Sequence, residues 1–483
     1  MLPTALATDD FLKREVPRKN QRIFELLTGF CAAGDACVIY RGLHGFQSFS
    51  LEELFINLGG RTMASRRDFF RFMLGGAAAV AGLPKTARPE NTKTVLPFPA
   101  KTNPDFWNEL RKQFPQPTNE AFFNNGTIGP MPSPVVRRVV ESMEDLNKTM
   151  GRRAGYGPEI EIREQIARII NCSAEEISLT QNSHMAMNKI SMGLDLQPGD
   201  EIVQTDQEHP GGECGWLVCG KRYGVVQKKV KIPIPPNNPK EIIQRFAEAI
   251  THSTKVLAIP HITSTLGLLL PVKEIVQMYR AKGIFTVLDG AQAVGQVKVD
   301  VKDIDCDAYF TSLHKWLLAP AGNGCLFVKR GSSEKIWTVL AGTQWDNQDD
   351  PGFRLQEHGF CSRPLLLGLS AAVDFFQDVG PDRWIGRIKE LGDRLRKGLQ
   401  SIPGVKIYSS VHPAMSTGMT TYKVGSWDGI KMYDHFLAKK AMRMRRAPNG
   451  GTRAGAYGVR QSVHIYHNET EIDLALEAVR EIA

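Results

Sequence analysis

Asp289-Gly290-Ala291-Gln292 and Ser312-Leu313-His314-Lys315-Trp316, the latter leading into Gly322-Asn323-Gly324, decide how this chain is read. Each stretch follows an apolar run of strand length, 284–288 and 308–311. The first run ends on a carboxylate. The second ends on small polar residues and a lysine. Parallel sheets gather their functional groups at the carboxyl ends of the strands, so acid and amine are expected to face one crevice.

The neighbouring sequence extends this pattern. Residues 202–205, 255–261 and 325–328 also read as strands, and 272–281 has helical spacing. Such alternation predicts an α/β architecture with a mostly parallel, helix-covered sheet. His261 then joins Asp289 and Ser312 at strand ends. Helices are expected over 104–114, with Asn103 as N-cap and Pro104 at the first position, and over 135–150, 158–170 and 383–400. Asn124-Asn125-Gly126-Thr127-Ile128-Gly129-Pro130 reads as a turn. The domain plan is a linker or arm at 91–130, a large domain at 131–380 and a smaller α+β domain at 381–483.

The 483 residues exceed one ordinary core, and 42% hydrophobic with 23% charged residues is a globular composition. The net charge of +9 comes with no basic run interleaved with aromatics, so no nucleic-acid partner is expected. Eight cysteines at irregular spacing, with only Cys214 and Cys219 close together, give neither a disulfide framework nor a zinc site. No apolar stretch reaches about 18 residues, so no integral membrane segment is expected.

Ser65-Arg66-Arg67-Asp68-Phe69-Phe70, then a mild apolar run at 73–83 and Lys85, is a twin-arginine pattern. It resembles the Tat signal for export of folded proteins. Such a signal belongs at an N-terminus, so translation is expected to start at Met63. Residues 1–62 would then be an upstream extension and 63–90 the signal. The expected location is periplasmic by Tat export with that start, and cytoplasmic otherwise.

An amine, a carboxylate and a set of small polar donors are what pyridoxal phosphate (PLP) requires. The amine holds its aldehyde, the acid keeps its ring nitrogen protonated, and the donors bind its phosphate. A lysine at a strand end is ordinarily a solvated charge; the acid upstream changes that reading. Ser312-x-x-Lys315 also spells the Ser-x-x-Lys hydrolase motif. The sequence has no Ser-Asp-Asn or Lys-Thr-Gly, and that serine should open a helix rather than follow a strand. Gly290 to Gly295 lacks the middle glycine of a dinucleotide fingerprint.

Thr180-Gln181-Asn182-Ser183-His184, Glu208-His209-Pro210, His261-Ile262-Thr263-Ser264, Asp289-Gly290-Ala291-Gln292, Ser312 to Lys315 and Val459-Arg460-Gln461-Ser462 follow in that order. Together they resemble the class V aminotransferase family of fold-type I PLP enzymes, over roughly 105–480. That group includes cysteine desulfurases and isopenicillin-N-epimerase-like proteins. The resemblance implies a large domain with a mostly parallel seven-stranded sheet, a smaller α+β domain and a homodimer. It gives Lys315 the covalent hold on the cofactor and the movement of the substrate α-proton. Asp289 takes the ring nitrogen, His209 the ring face and Gln292 the phenolic oxygen. Ser183, the His184 amide, Ser312 and His314 take the phosphate. Ser264 faces the cofactor hydroxyl or the substrate, and Arg460 clamps a substrate carboxylate.

The implied reaction is transamination or epimerisation at the α-carbon of a small or peptide-derived amino substrate. Exported enzymes that tailor pyoverdine-type siderophore peptides share the superfamily and are the runner-up. Two departures stand out. Residues 430–459 hold no cysteine, which disfavours desulfuration. Phe360 follows Gln356-Glu357-His358-Gly359 where relatives place the threonine that reaches the partner subunit's phosphate; Thr343 is the other candidate for that contact.

Overall fold

The computed structural model describes residues 97–115, 120–149, 157–356, 362–448 and 455–483, which form one compact unit. Met63, Arg66, Arg67 and the segment 357–360 lie outside the described residues.

A seven-stranded sheet forms the centre. Its strands are β2 (Ile177–Thr180), β3 (Glu201–Thr205), β4 (Val226–Val230), β5 (Thr254–Pro260), β6 (Phe285–Asp289), β7 (Ala308–Ser312) and β8 (Gly324–Val328). Their order is β2-β8-β7-β6-β5-β3-β4, and only β8 runs antiparallel to its neighbours. Five-residue runs such as Ala308–Ser312 and Gly324–Val328 are buried throughout, as strands covered on both faces must be. Alternation splits their side chains between two cores. Leu257, Ile259, Leu288 and Tyr309 point to one, and Val256, Ala258, Val287 and Phe310 to the other.

The strand expectations hold to within a residue at each end, but β2 is not among them, and neither is β4. Its sequence Val226-Gln227-Lys228-Lys229-Val230 is polar because it is the sheet edge, where lysines discourage pairing with another chain. The helix expected over 104–114 is shorter, Phe106–Arg111. Its N-cap is Asp105, with no side-chain cap bond, while Asn103 accepts the Asp105 N–H at 2.9 Å. It ends early because the amides of Lys112, Gln113 and Phe114 bond three residues back, tightening the last turn.

A four-stranded antiparallel sheet follows in the C-terminal part: β9 (Val405–Ile407), β10 (Met419–Val424), β12 (Arg445–Arg446) and β13 (Val459–Ser462), in the order β12-β13-β10-β9. Helices Pro381–Gln400 and Glu469–Arg480 cover it, burying Leu391, Leu395 and Leu399 against Tyr422, Ile472 and Val479. The N-terminal arm is tied into this part. Strand β1 (Ala121–Phe122) pairs in parallel with β11 (Met442–Arg443), and Phe123 is buried.

β2, β3, β5, β6 and β7 all point one way, so their carboxyl ends share one rim. Asp289 and Ser312 are the last residues of their strands. His261 immediately follows Pro260, and the loop after Thr205 carries His209.

Candidate active site

The rim encloses a cavity walled by Ser183, His184, His209, Ser264, Asp289, Gln292 and Lys315. Seven residues from five separate segments of sequence thus meet. Ser312 and His314 flank Lys315 in sequence, and Arg460 stands behind Ser264, donating Nη1 to its carbonyl at 2.6 Å.

Helix Ser183–Gly193 starts at the cavity. Asn182 caps it, accepting the Met185 N–H at 2.9 Å. The Ser183 N–H donates to the Ser312 hydroxyl at 3.0 Å, and the two hydroxyls lie 2.9 Å apart. A helix N-terminus with two hydroxyls is a ready site for a phosphate. The His184 imidazole Nδ1 donates to the Gly211 carbonyl at 2.8 Å, leaving its backbone amide at the first turn. The Cys214 thiol approaches the same ring, 3.6 Å from Nδ1.

His209 is the N-cap of helix Pro210–Tyr223, and its Nδ1 accepts the Gly211 N–H at 3.0 Å. Burial, then the nearby Lys315 charge, lowers its pKa to about 4, so the ring is neutral near pH 7. Its sequence neighbour Glu208 turns away. That carboxylate accepts from the Thr205 amide at 2.9 Å and hydroxyl at 2.6 Å, and burial raises its pKa to about 8.

Asp289 Oδ1 accepts the Ala291 N–H at 2.8 Å. Burial raises its pKa while the Lys315 ammonium opposes the rise. Gly212 faces the other oxygen so closely that an added Cβ would stand 2.8 Å from Oδ2. Burial lowers the Lys315 pKa to about 8; Asp289 resists this, and Arg460 and Arg445 add to it. The amine is therefore partly neutral near pH 8, as a nucleophile or proton carrier must be.

Gln292 is fixed at both ends of its amide. Nε2 donates to the Gly126 carbonyl at 2.8 Å and Oε1 accepts from the Trp316 indole at 2.7 Å. One amide hydrogen remains for a ligand. His314 Nδ1 and Arg460 Nε are buried without a partner.

The turn 124–130 is closer to the chemistry than its composition suggests. Asn125 Nδ2 donates to the Lys315 carbonyl at 3.3 Å, and the Gly129 N–H to the His314 carbonyl at 2.9 Å. Asn124 Oδ1 accepts from Arg460 Nη2 at 3.1 Å. Arg445 enters from β12, donating to the Thr127 hydroxyl at 3.1 Å. Sequence reasoning missed these residues. The turn's density of Asn and Gly has an ordinary loop explanation, and Arg445 lies in a basic run without a motif.

The chain matches the family described as "Aminotransferase class-V" over residues 124–475. It belongs to that family. Isopenicillin N epimerase of Streptomyces clavuligerus is 28% identical over 395 residues, 77% of this chain and 97% of that protein. A probable cysteine desulfurase of Methanothermobacter thermautotrophicus is 28% identical over 408 residues, 78% of this chain and 98% of that protein. Among solved structures, a variant of C-DES with glycine covalently linked to its PLP cofactor superimposes with a TM-score of 0.69 at 22% identity, covering 77% of this chain and 99% of that one. The fold is therefore that of the fold-type I PLP enzymes.

The family's cofactor is PLP, and the residues present fit it. The cavity offers a partly neutral amine, a carboxylate beside it and a helix N-terminus with paired hydroxyls. An unpartnered His314 nitrogen lies buried in the same strand-end segment. When bound, this cofactor supplies an electron sink for charge that develops at a substrate α-carbon. The chain supplies the rest: Asp289 would hold the proton on the ring nitrogen, and Lys315 would carry the proton at the α-carbon.

Proposed function

We propose that this class V PLP enzyme moves the α-proton of an amino substrate, in epimerisation or transamination. The carrying observation is that Lys315 and Asp289 line one cavity, each favouring the charged form of the other. In this reading the neutral His209 ring covers one face of the cofactor and Gln292 bonds its phenolic oxygen. Ser183, His184, Ser312 and His314 hold the phosphate, Ser264 lies at the substrate side, and Arg460 takes the substrate carboxylate. Export by a Tat signal around Arg66 and Arg67 would place the substrate outside the cytoplasm, where tailoring of a siderophore peptide precursor is the narrower alternative.

A desulfurase-like reaction is the second reading, favoured by relatives named cysteine desulfurase. Against it, residues 430–459 contain no cysteine to act as the sulfur-accepting nucleophile.

The experiment has two steps. Protein loaded with PLP is reduced with borohydride and digested, and the cofactor is expected on the peptide containing Lys315. Its recovery on another lysine, or on none, overturns the site. Loaded protein is then incubated with amino acids in D2O. Deuterium at the α-carbon of the recovered amino acid without sulfur release is expected; conversion of cysteine to alanine with release of its sulfur would transfer the protein to the second reading.

A further inference from the structure

Two arginines stand opposite each other beside the cavity with no acid between them. The antiparallel pairing of β12 and β13 sets Arg445 directly across from Arg460. Like charges facing across a ladder destabilise it, more so when water is excluded. Arg460 is only 1% exposed. It donates to the Ser264 carbonyl, to Asn124 Oδ1 and, at 3.4 Å, to the Thr127 hydroxyl. Arg445 donates to that same hydroxyl at 3.1 Å. All these acceptors are neutral.

Other buried arginines are treated differently. Arg163 holds Asp350, Arg387 holds Glu469 and Arg396 holds Asp393. Arg354 rests on the carbonyls of Ser333 and Ile336, and no second cation faces it across a ladder. Only at the cavity does the described protein set two guanidinium groups on opposed residues without a carboxylate. Both act on the site electrostatically: each disfavours protonation of Lys315 and of His209. One substrate carboxylate on Arg460 would leave the second charge uncompensated.

We propose that Arg445 is a specificity-determining residue that receives a second anionic group of the substrate, making the preferred amino compound a dicarboxylic one. Its α-carboxylate meets Arg460 and its distal carboxylate meets Arg445. Two negative charges then balance two positive ones, and both pairs gain charge-assisted hydrogen bonds, that of Arg460 at a buried position and that of Arg445 at a half-buried one. This rests on the reading of Lys315 and Asp289 as the cofactor site, which fixes the side of the cavity the substrate enters.

The test measures binding rather than turnover. The PLP-loaded protein is titrated calorimetrically with succinate and glutarate, and with propionate as the single-carboxylate control. The dicarboxylates are expected to bind at least roughly tenfold tighter, and Arg445→Gln to abolish that advantage. Arg445→Lys, which keeps the charge but not the fork, is expected to retain part of it and guards against a folding defect. Equal affinity for mono- and dicarboxylates in the unaltered protein overturns the proposal. So does an equal loss for both ligands in Arg445→Gln, which would mean that both arginines grip one carboxylate. Borohydride trapping on the same preparation reports separately on the cofactor site, so failure of that reading is not confused with failure of this one.

Discussion

Lys315 shows how a single side chain acquires chemistry from its surroundings. A solvated lysine has a pKa of about 10.4 and is almost wholly charged at pH 7. Here burial and the charges of Arg460 and Arg445 oppose Asp289 and bring it to about 8. Only the neutral amine can attack an aldehyde. Capture of PLP, trapped by borohydride at intervals, should therefore quicken about tenfold per pH unit below about 8 and level off above it. An unperturbed lysine would keep accelerating to about 10.4, and that profile would contradict the placement. Arg445→Gln removes a repelling charge, so its plateau should move to higher pH. Motif order made Lys315, Asp289 and His209 legible in the sequence, because their chemistry demands particular residue types at strand ends. Arg445 and Asn124 were not legible, since hydrogen bonding through side chains from distant segments leaves no local pattern.

At the scale of the element, the helix Ser183–Gly193 does two jobs with neighbouring residues. Asn182 satisfies the Met185 amide, a structural task, while Ser183 pairs with Ser312 at the cavity. The two tasks should separate under mutation. Asn182→Ala should cost about 1 kcal/mol in denaturant unfolding of the cofactor-free protein, the usual worth of such a cap. Ser183→Ala should leave that midpoint within about 0.5 kcal/mol, as substitutions outside the packed core do, yet weaken PLP retention in dialysis. Equal effects of both changes on unfolding would argue that Ser183 is a packing residue. The stretch Thr180 to His184, where this helix starts, was legible through its place in the motif order. The edge strand β4 was not, because its polar sequence reflects its place in the sheet and not its own backbone preference.

For the whole molecule, the family resemblance implies a homodimer, and the surface carries side chains suited to one. Trp337 is 69% exposed and Trp345 is 52% exposed, with Val339 and Leu340 also open. Two indoles left in water next to aliphatic side chains are the kind of patch that association removes. Light scattering on the loaded protein should give twice the chain mass, and Trp337→Arg should shift the balance toward monomer at micromolar concentration. A monomer at all concentrations would mean that each site is built from one chain.

The sequence by itself determined the α/β class, the rim on which chemistry would sit and the acid–amine pair at its centre. It did so because strand periodicity, capping and cofactor chemistry are each written in short, ordered stretches. The tertiary structure alone decided that the Asn124 turn buttresses Lys315 and supports Arg460. It also decided that Arg445 faces Arg460 without a counter-charge. These depend on the register of β12 against β13, set by packing around a short connection, and on the path of the arm, whose contacts with Lys315 and Arg460 join segments 190 and 336 residues apart.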